Sequence, residues 1–310
     1  MLVLPGQPEI VTLWKFLVMK VHDLAIAAGV MILWGLNLIV VRTGIQEIPP
    51  LFLTALRCIL VAALMAPFFR PTPDKWPGIL MLGIVMGVGH FGFMFLGLRG
   101  IDAVTGAVII QLGVPFSAML AWLIFGDRLG GREVLGLGLA FGGVAVLAGE
   151  SKGGDPLSFG FIVAAAAMWA VSNVIVKRLT PIPPAALNGW ASLCAVPALL
   201  GLSAVFEHGQ KEALAQATWH GWGAVFYTAC GSSIVAYTLW YRLIATYSLN
   251  RIIPLTLLAP VIGMAGGIFL LGEPLTRPRV VGGLMTMAGV AICLPIRFRS
   301  ERFLPGTTNR

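Results

Sequence analysis

Apolar residues run through most of the chain in long blocks that short polar turns separate. Ten blocks are each close to the roughly 20 residues that an α-helix needs to cross a bilayer. They lie at 24–41, 51–69, 77–97, 104–125, 133–148, 159–176, 185–206, 219–241, 252–271 and 280–296. A transmembrane β-barrel would need alternating apolar and polar residues instead. The pattern therefore predicts an all-α integral membrane protein with ten transmembrane helices.

The composition supports this class and excludes several others. Of the 310 residues, 58% are hydrophobic and 11% are charged, against about 25% charged in soluble domains. The longest connection, residues 207–218, is too short for a soluble domain, and no GxxxxGK[ST] phosphate loop occurs in the sequence. A soluble enzyme, a disordered chain and an ATP-driven pump are thereby excluded. We expect no cofactor and no metal site, because the histidines and the four isolated cysteines lack ligand spacing.

The basic residues indicate the orientation. Of 21 Lys and Arg residues, 14 fall on the side of the N-terminal tail, six fall on the other side, and Arg57 lies inside span two. Short loops rich in Lys and Arg stay in the cytoplasm, so both termini are predicted to be cytoplasmic in a multi-pass protein of the cell (inner) membrane. The net charge of +8 fits contact with anionic membrane lipid. Nucleic acid is a poor partner, because the basic residues are dispersed among loops.

The two tails, residues 1–23 and 297–310, are predicted to be cytoplasmic. The first is not a signal peptide, because Pro5, Pro8 and Lys15 interrupt its apolar run. Met19 lies directly before span one. We therefore expect Met19 to be an alternative start and residues 1–18 to be a dispensable extension.

An internal repeat organises the chain. The segment Trp34-Gly-Leu-Asn37 has a counterpart 135 residues later in Trp169-Ala-Val-Ser172, and Gly126-Asp127 has one 146 residues later in Gly272-Glu273. These offsets divide the chain into two halves of five spans each, at residues 24–149 and 157–296. Because five is odd, the second half must enter the membrane from the opposite face. This is the inverted repeat of many secondary transporters.

Glycines and prolines mark particular spans. Spans five and ten are rich in glycine and alanine, which let helix backbones approach closely, so we expect them to form scaffold contacts or the contacts of a possible homodimer. Pro115 in span four and Pro260 in span nine hold nearly equivalent places in the two halves. A proline frees a helical carbonyl, and such breaks are tolerated at membrane depth where neighbours or a wet cavity satisfy the backbone. We therefore predict both prolines to be hinges.

These motifs together resemble the drug/metabolite transporter superfamily and, within it, the EamA family. The matching segments span nearly the whole chain and are Trp34-Gly35-Leu36-Asn37, Pro49-Pro50, Leu56-Arg57, Phe125-Gly126-Asp127-Arg128-Leu129, Leu257-Leu258-Ala259-Pro260-Val261-Ile262-Gly263 and Gly272-Glu273-Pro274-Leu275. The resemblance implies ten spans in two inverted repeats and export of amino acids and other small metabolites.

A finer similarity links the chain to exporters of O-acetylserine and cysteine. It is carried by Pro49-Pro50-Leu51, Val108-Ile109-Ile110-Gln111, and Tyr247 with Arg251. The sequence departs from that pattern at His90, where those exporters are expected to carry glutamine.

Few titratable groups lie at membrane depth, and two of them are candidates for the site. Arg57 lies roughly 10 Å along its helix from Pro50, at about 1.5 Å per residue. It can snorkel to the outer interface or tie helix ends together, or it can bind a substrate carboxylate. His90, in the middle of span three, is either a packing residue or a contact for substrate or proton.

The remaining candidates are neutral. Gln111 can offer donors and an acceptor to a zwitterion. The other predicted substrate contacts are Trp34 and Asn37 in span one, their near-equivalents Trp169 and Asn173 in span six, and Ser233 and Tyr237 in span eight. Interhelical hydrogen bonding is the alternative role for the amides.

Asp127 and Glu273 match across the repeat and could act as functional acids. We favour a structural role, in which each caps the next helix or pairs with a nearby arginine such as Arg128 or Arg277.

The sequence as a whole predicts a secondary transporter, and not an enzyme, that exports small polar metabolites by alternating access. Amino acids or derivatives of the cysteine and O-acetylserine type are the expected substrates. One alternative is an exporter of drugs or hydrophobic cations, which would call for a buried acid. The others are an integral-membrane enzyme, which would need clustered ligands or a nucleophile–base pair, and a scaffold that transports nothing.

Overall fold

A computed structural model describes residues 19–68, 70–125, 130–149, 155–179, 182–247 and 253–293. The predictions for the two tails, apart from residues 19–23, lie outside these residues, as do those for Asp127, Arg128 and Arg251.

Helices account for nearly all of the described chain. The α-helices are α1 (Val21–Gly44), α2 (Pro50–Met65), α3 (Trp76–Leu82), α4 (Phe93–Gly100), α5 (Ala103–Ile109), α6 (Gly113–Phe125), α7 (Gly131–Ala148), α8 (Pro156–Leu179), α9 (Pro184–Phe206), α10 (Gln210–Gln216), α11 (Trp219–Phe226), α12 (Ala236–Thr246), α13 (Leu258–Leu271) and α14 (Arg277–Cys293). Two π-helical segments, π1 (Gly83–Gly92) and π2 (Tyr227–Val235), join α3 to α4 and α11 to α12. Short 3₁₀ turns occur at Ala66–Phe68, Pro73–Lys75, Ile110–Leu112 and Ile253–Leu257.

Within the described residues, seven helical stretches are long and apolar enough to cross a membrane. They cover the first seven predicted spans, at Val21–Gly44, Pro50–Phe68, Pro73–Gly100, Ala103–Ile124, Gly131–Ala148, Pro156–Val176 and Pro184–Phe206. The other three predicted spans are also helical, at 219–246, 253–271 and 277–293. The described chain is therefore an all-helical membrane protein, and the count of ten spans stays a prediction.

Glycines bring α7 and α14 together, and these helices are predicted spans five and ten. A Cβ at Gly136 would lie 2.8 Å from the Gly289 carbonyl oxygen, and one at Gly143 would lie 2.5 Å from the Gly282 carbonyl oxygen. The sequence order of these contacts makes the two helices antiparallel. The glycines thus act within the chain, where small residues allow close backbone approach.

Two further pairs of helices from the two halves also run antiparallel. In the pair α2 and α9, Gly189 packs on the Met65 end of α2, while Leu51 and Leu199 share an apolar cluster at the other end. The second pair, α5 and α13, corresponds to predicted spans four and nine. There a Cβ at Gly267 would lie 2.7 Å from the Val104 side chain, and one at Gly263 would lie 3.1 Å from the Ala107 Cβ. Three pairs of helices with the same place in the two halves therefore pack in opposite directions.

Three glutamates at one end of the bundle cap helices to which they do not belong. Glu207 accepts backbone N–H bonds from Leu51 and Phe52 at 2.8 and 3.0 Å, which caps α2. Glu47 caps α11 through the Thr218 N–H at 2.8 Å and the Gly221 N–H at 2.9 Å. These carboxylates satisfy helix N-termini that lipid could not hydrogen-bond.

The third cap corrects a prediction. Glu273 accepts from the N–H groups of Ala103 and Val104 at 2.8 and 2.7 Å, so it caps α5 and not the helix that follows it. The reason is the turn at Gly272, whose φ of 66° is left-handed and directs the chain back toward α5. The expected pairing with Arg277 is not among the ion pairs of the described residues, and Arg279, two positions later, pairs with Asp102.

The Glu47 cap predicts a pH-dependent stability. Hydrogen bonds, led by that of the Thr218 hydroxyl at 2.6 Å, hold the pKa of Glu47 below its ordinary value of 4.5, although burial opposes them. A lowered native pKa stabilises the fold above the unfolded value, and this contribution is lost as pH falls through the native pKa. We expect Glu47→Gln to unfold at a lower temperature than wild type at neutral pH, and the difference to vanish well below pH 4.5.

Thermal melts of Glu212→Gln, at an exposed position in α10, are the control. A difference that persisted in acid would contradict the assignment.

The α7–α14 contact predicts a steric effect. Gly143→Leu should destabilise the protein by about 1–3 kcal/mol, the usual cost of overpacking. Gly138→Leu on the same helix has no neighbour within 4 Å and should leave the melting temperature in detergent nearly unchanged. Equal effects of the two changes would show that the contact does not hold the helices together.

Candidate substrate site

Arg57 turns into the bundle and not toward the interface. It lies in α2, seven residues after Pro50, and is only 3% exposed. Its Nε donates to the Thr228 carbonyl at 3.1 Å, and its Nη2 donates to the Ser233 hydroxyl at 2.5 Å. The guanidinium carbon also lies 3.4 Å from the centre of the Phe91 ring. Arg57 therefore joins α2 to π1 and π2 in the interior, and it does not snorkel.

The neighbours of Arg57 lie on π-helical segments. Phe91 belongs to π1, whereas Thr228 and Ser233 belong to π2. In π2 the Ser233 hydroxyl donates to the Thr228 carbonyl, five residues earlier, at 2.6 Å. A π-helix is wider than an α-helix and is found often at functional sites. Here π2 presents a main-chain carbonyl and a hydroxyl to the guanidinium.

No acid neutralises Arg57 within the described ranges. None of the ion pairs found there involves it. Its charge is held by the Thr228 carbonyl, the Ser233 hydroxyl and the face of the Phe91 ring, which attracts cations. A desolvated cation with neutral partners has a strong electrostatic attraction for a carboxylate.

Two tryptophans that match across the repeat converge on Tyr237. The ring centre of Trp34 lies 5.2 Å from that of Tyr237, and the Trp34 Nε1 donates to the Ser232 carbonyl at 3.2 Å. The Trp169 side chain hydrogen-bonds to Tyr237. Since Tyr237 follows Ser233 by four residues, these aromatic rings lie one helical turn from the Arg57 contacts.

A small cleft reaches this cluster from the end of the bundle opposite the glutamate caps. Two residues of the cleft are joined by a hydrogen bond, in which the Asn188 Nδ2 donates to the Ser233 carbonyl at 3.4 Å. The cleft is lined by Met65, Pro184, Ala185, Asn188, Ser233, Ile234, Tyr237 and Thr238. It lies where α2 ends and α9 begins, so Ser233, whose hydroxyl accepts from Arg57, also borders the cleft.

The other predicted contacts have different surroundings. His90 is 6% exposed, its Nδ1 donates to the Ala165 carbonyl at 2.9 Å, and its ring lies 4.7 Å from that of Phe91. Gln111 is half-buried in the 3₁₀ turn before α6, Asn37 is buried, and Asn173 is exposed. The structure thus brings together Trp34, Arg57, Trp169, Ser233 and Tyr237, places His90 beside Phe91, and leaves Asn173 outside the cluster.

Both predicted hinges lie at changes of helix type. Pro115 is the third residue of α6, and Pro260 is the third residue of α13. A 3₁₀ turn directly precedes each of these helices. The backbone is therefore irregular at corresponding places in the two halves.

Two residues of the site were not predicted from the sequence. In the sequence, Phe91 cannot be told from the other apolar residues of span three. Its position next to His90 is the one feature that could have indicated a place in the site. Glu207 positions the site indirectly, because it caps the helix that carries Arg57. Its place directly after span seven is visible in the sequence, but its partner helix is not. Within the described residues no group of three or more His, Cys, Asp or Glu side chains could hold a metal ion.

Comparison with known proteins gives matches along most of the chain. The model of the EamA-like transporter family matches residues 23–149 and 157–294. A protein of Salmonella typhimurium named "Probable amino-acid metabolite efflux pump" is 33% identical over 286 residues, which cover 88% of this chain and 95% of the relative. A protein of Escherichia coli with the same name is 32% identical with the same coverage.

The fold is also similar to that of a solved structure. A crystal structure described only as "Crystal structure of protein" aligns with a TM-score of 0.60 at 20% identity, covering 88% of this chain and 96% of the other. At this identity the likeness concerns the fold alone.

The surroundings of Arg57 predict an unusual mutational effect. Replacing a buried charge with an apolar side chain of similar size is often neutral or stabilising. In Arg57→Met the Ser233 hydroxyl would still donate to the Thr228 carbonyl. We therefore expect the variant to lie within about 1 kcal/mol of wild type, or above it, in thermal unfolding.

The matched control is Arg42→Met. Arg42 donates to the carbonyls of Leu98 and Arg99, so its removal leaves two helix-end acceptors without this donor and should lower stability more than Arg57→Met. A loss of about 3–5 kcal/mol in Arg57→Met would instead assign Arg57 a structural role.

Proposed function

Because the chain belongs to the EamA-like transporter family, we propose that it is a secondary transporter that exports small polar metabolites by alternating access. Amino acids or derivatives of the cysteine and O-acetylserine type are the proposed substrates. The proposal places the protein in the inner membrane with both termini in the cytoplasm.

The observation that carries this proposal is the buried guanidinium of Arg57. It lies beside a cleft, with a hydroxyl, a carbonyl and an aromatic face as its partners. A free carboxylate is the ligand that best completes such a site, because charge-assisted hydrogen bonds to arginine are short and strong. Every α-amino acid and its O-acyl derivatives supply that group.

The relatives support the same substrate class. The two proteins named above are described as efflux pumps of amino-acid metabolites, and each aligns over 88% of this chain. We extend that description to this protein as part of the proposal.

Helix packing supports an inverted repeat. The pairs α2 and α9, α5 and α13, and α7 and α14 each join corresponding spans of the two halves in antiparallel directions. A two-fold axis in the membrane plane would relate helices in this way, and many secondary transporters use such an axis to exchange two access states.

The different contacts at the two ends of the bundle support a site that is reached from one side of the membrane. The glutamate caps and the Arg42 bonds join helices at one end, which the distribution of basic residues assigns to the outside. The cleft lies at the opposite end, which the proposed orientation assigns to the cytoplasm. In the proposed cycle, bending at Pro115 and Pro260 closes the cleft and separates the capped helices.

A drug or cation exporter fits the site less well. A cationic substrate would be repelled by Arg57, and within the described residues no acid forms an ion pair with it. The charge of the site therefore favours an anionic group on the substrate.

Transport in proteoliposomes tests the proposal. Wild-type protein should exchange L-cysteine or O-acetyl-L-serine across the membrane in a counterflow assay. Arg57→Met should lower this flux about tenfold to hundredfold, the range expected for loss of hydrogen bonds to a charged group.

The control is Arg132→Met, which removes an equal charge at an exposed position of α7 and should transport like wild type. Wild-type protein that moved no amino acid in either direction would overturn the substrate class. A fully active Arg57→Met would overturn the role of the guanidinium.

A further inference from the structure

The proposed site contains a buried polar atom without a hydrogen-bond partner. Asn37 is 8% exposed, and its Oδ1 finds no hydrogen-bond partner within the described part of the chain. Leaving a buried acceptor unpaired is unfavourable, so such an atom in an apolar helix points to a donor that arrives with a ligand. The other unpaired buried oxygen, in the Thr105 hydroxyl, is next to Val104 at the capped end of α5.

Helix packing places Asn37 at the depth of π2. Helix α1 runs antiparallel to residues 219–246. Near the end of α1, Gly44 packs on Ala224. Earlier in α1, the Leu33 carbonyl accepts from the Tyr227 hydroxyl at 2.9 Å, and the Trp34 Nε1 donates to the Ser232 carbonyl at 3.2 Å. These contacts bracket Asn37 along α1 and place it level with the middle of π2.

The helical register shows on which face of α1 the Asn37 side chain lies. Asn37 is three residues from Trp34 and seven from Gly44, so the three side-chain positions share one face of α1. That face packs on residues 219–246. Arg57 reaches the same stretch from α2, through Thr228 and Ser233. A buried cation and an unpaired acceptor thus lie on two helices that both pack on π2.

We propose that the site recognises both charges of an α-amino acid zwitterion, with Arg57 binding the carboxylate and the Asn37 Oδ1 accepting a hydrogen bond from the ammonium group. This inference rests on the proposed function and deepens it. The incoming carboxylate replaces the Ser233 hydroxyl on the Arg57 Nη2, and Ser233 keeps its bond to the Thr228 carbonyl. Substrates that lack either charge leave one of the two groups unpaired and are rejected.

Three related thiol compounds separate the two charges. L-cysteine carries both, N-acetyl-L-cysteine carries only the carboxylate, and cysteamine carries only the ammonium group. In the proteoliposome assay, under reducing conditions, we expect both analogues to compete with labelled L-cysteine at least about tenfold more weakly than unlabelled L-cysteine does.

Variants then test whether Asn37 contacts the ammonium group of the substrate. Asn37→Leu should weaken competition by L-cysteine about tenfold while leaving that by N-acetyl-L-cysteine unchanged, so that the discrimination disappears. Thr105→Val is the matched control, because it removes the other unpaired buried oxygen, and it should keep the wild-type discrimination.

A second measurement does not depend on the folding of any variant. L-cysteine should raise the melting temperature of the wild-type protein in detergent, whereas equal concentrations of N-acetyl-L-cysteine and cysteamine should raise it less. Equal competition or equal stabilisation by L-cysteine and N-acetyl-L-cysteine would overturn the inference and leave amino-acid export standing, as would an Asn37→Leu variant that still discriminates. Absence of any amino-acid transport would refute the proposed function itself.

Discussion

Backbone hydrogen bonding inside a lipid bilayer constrains every other feature of this structure. Lipid offers no partners for N–H and C=O groups, so each helix end and each irregular turn must be satisfied by the protein. The chain meets this requirement at one end with carboxylates from other helices, as Glu207 does for α2 and Glu273 does for α5. At mid-bundle it meets the requirement in π2, where Arg57 and Ser233 both donate to the Thr228 carbonyl.

The same requirement links stability to function. Arg57 satisfies a main-chain carbonyl of π2 and in doing so brings a positive charge into the interior, where the Phe91 ring and the Ser233 hydroxyl hold it. Because Ser233 by itself can also satisfy Thr228, the proposed exchange of the guanidinium onto a ligand would leave this carbonyl paired. Glu207 fixes the start of the helix that carries Arg57, so the cap and the interior charge belong to one helix.

Sequence patterns predicted many residues of the candidate site but not how they are arranged. Arg57, Ser233 and Tyr237 were recognisable because a polar residue stands out in an apolar helix, and Trp34 and Trp169 because they match across the repeat. The repeat also suggested equal roles for Asn37 and Asn173, yet the first is buried and the second is exposed. Helices of the two halves meet different neighbours in the folded protein, so residues with equivalent sequence positions need not have equivalent surroundings.

The helical membrane class, the repeat, the positions of the prolines and the small set of polar residues in apolar segments can all be read from the amino-acid sequence. Each of these follows from local spacing or from comparison of one half with the other. Which groups meet, by contrast, depends on the tertiary structure. Arg57 binds residues 171 and 176 positions away, Glu207 caps a helix 156 positions earlier, and Glu273 caps one 170 positions earlier. Contacts at such separations depend on how the helices pack, and an apolar helix surface carries little information about its partner because lipid and protein interior are equally apolar.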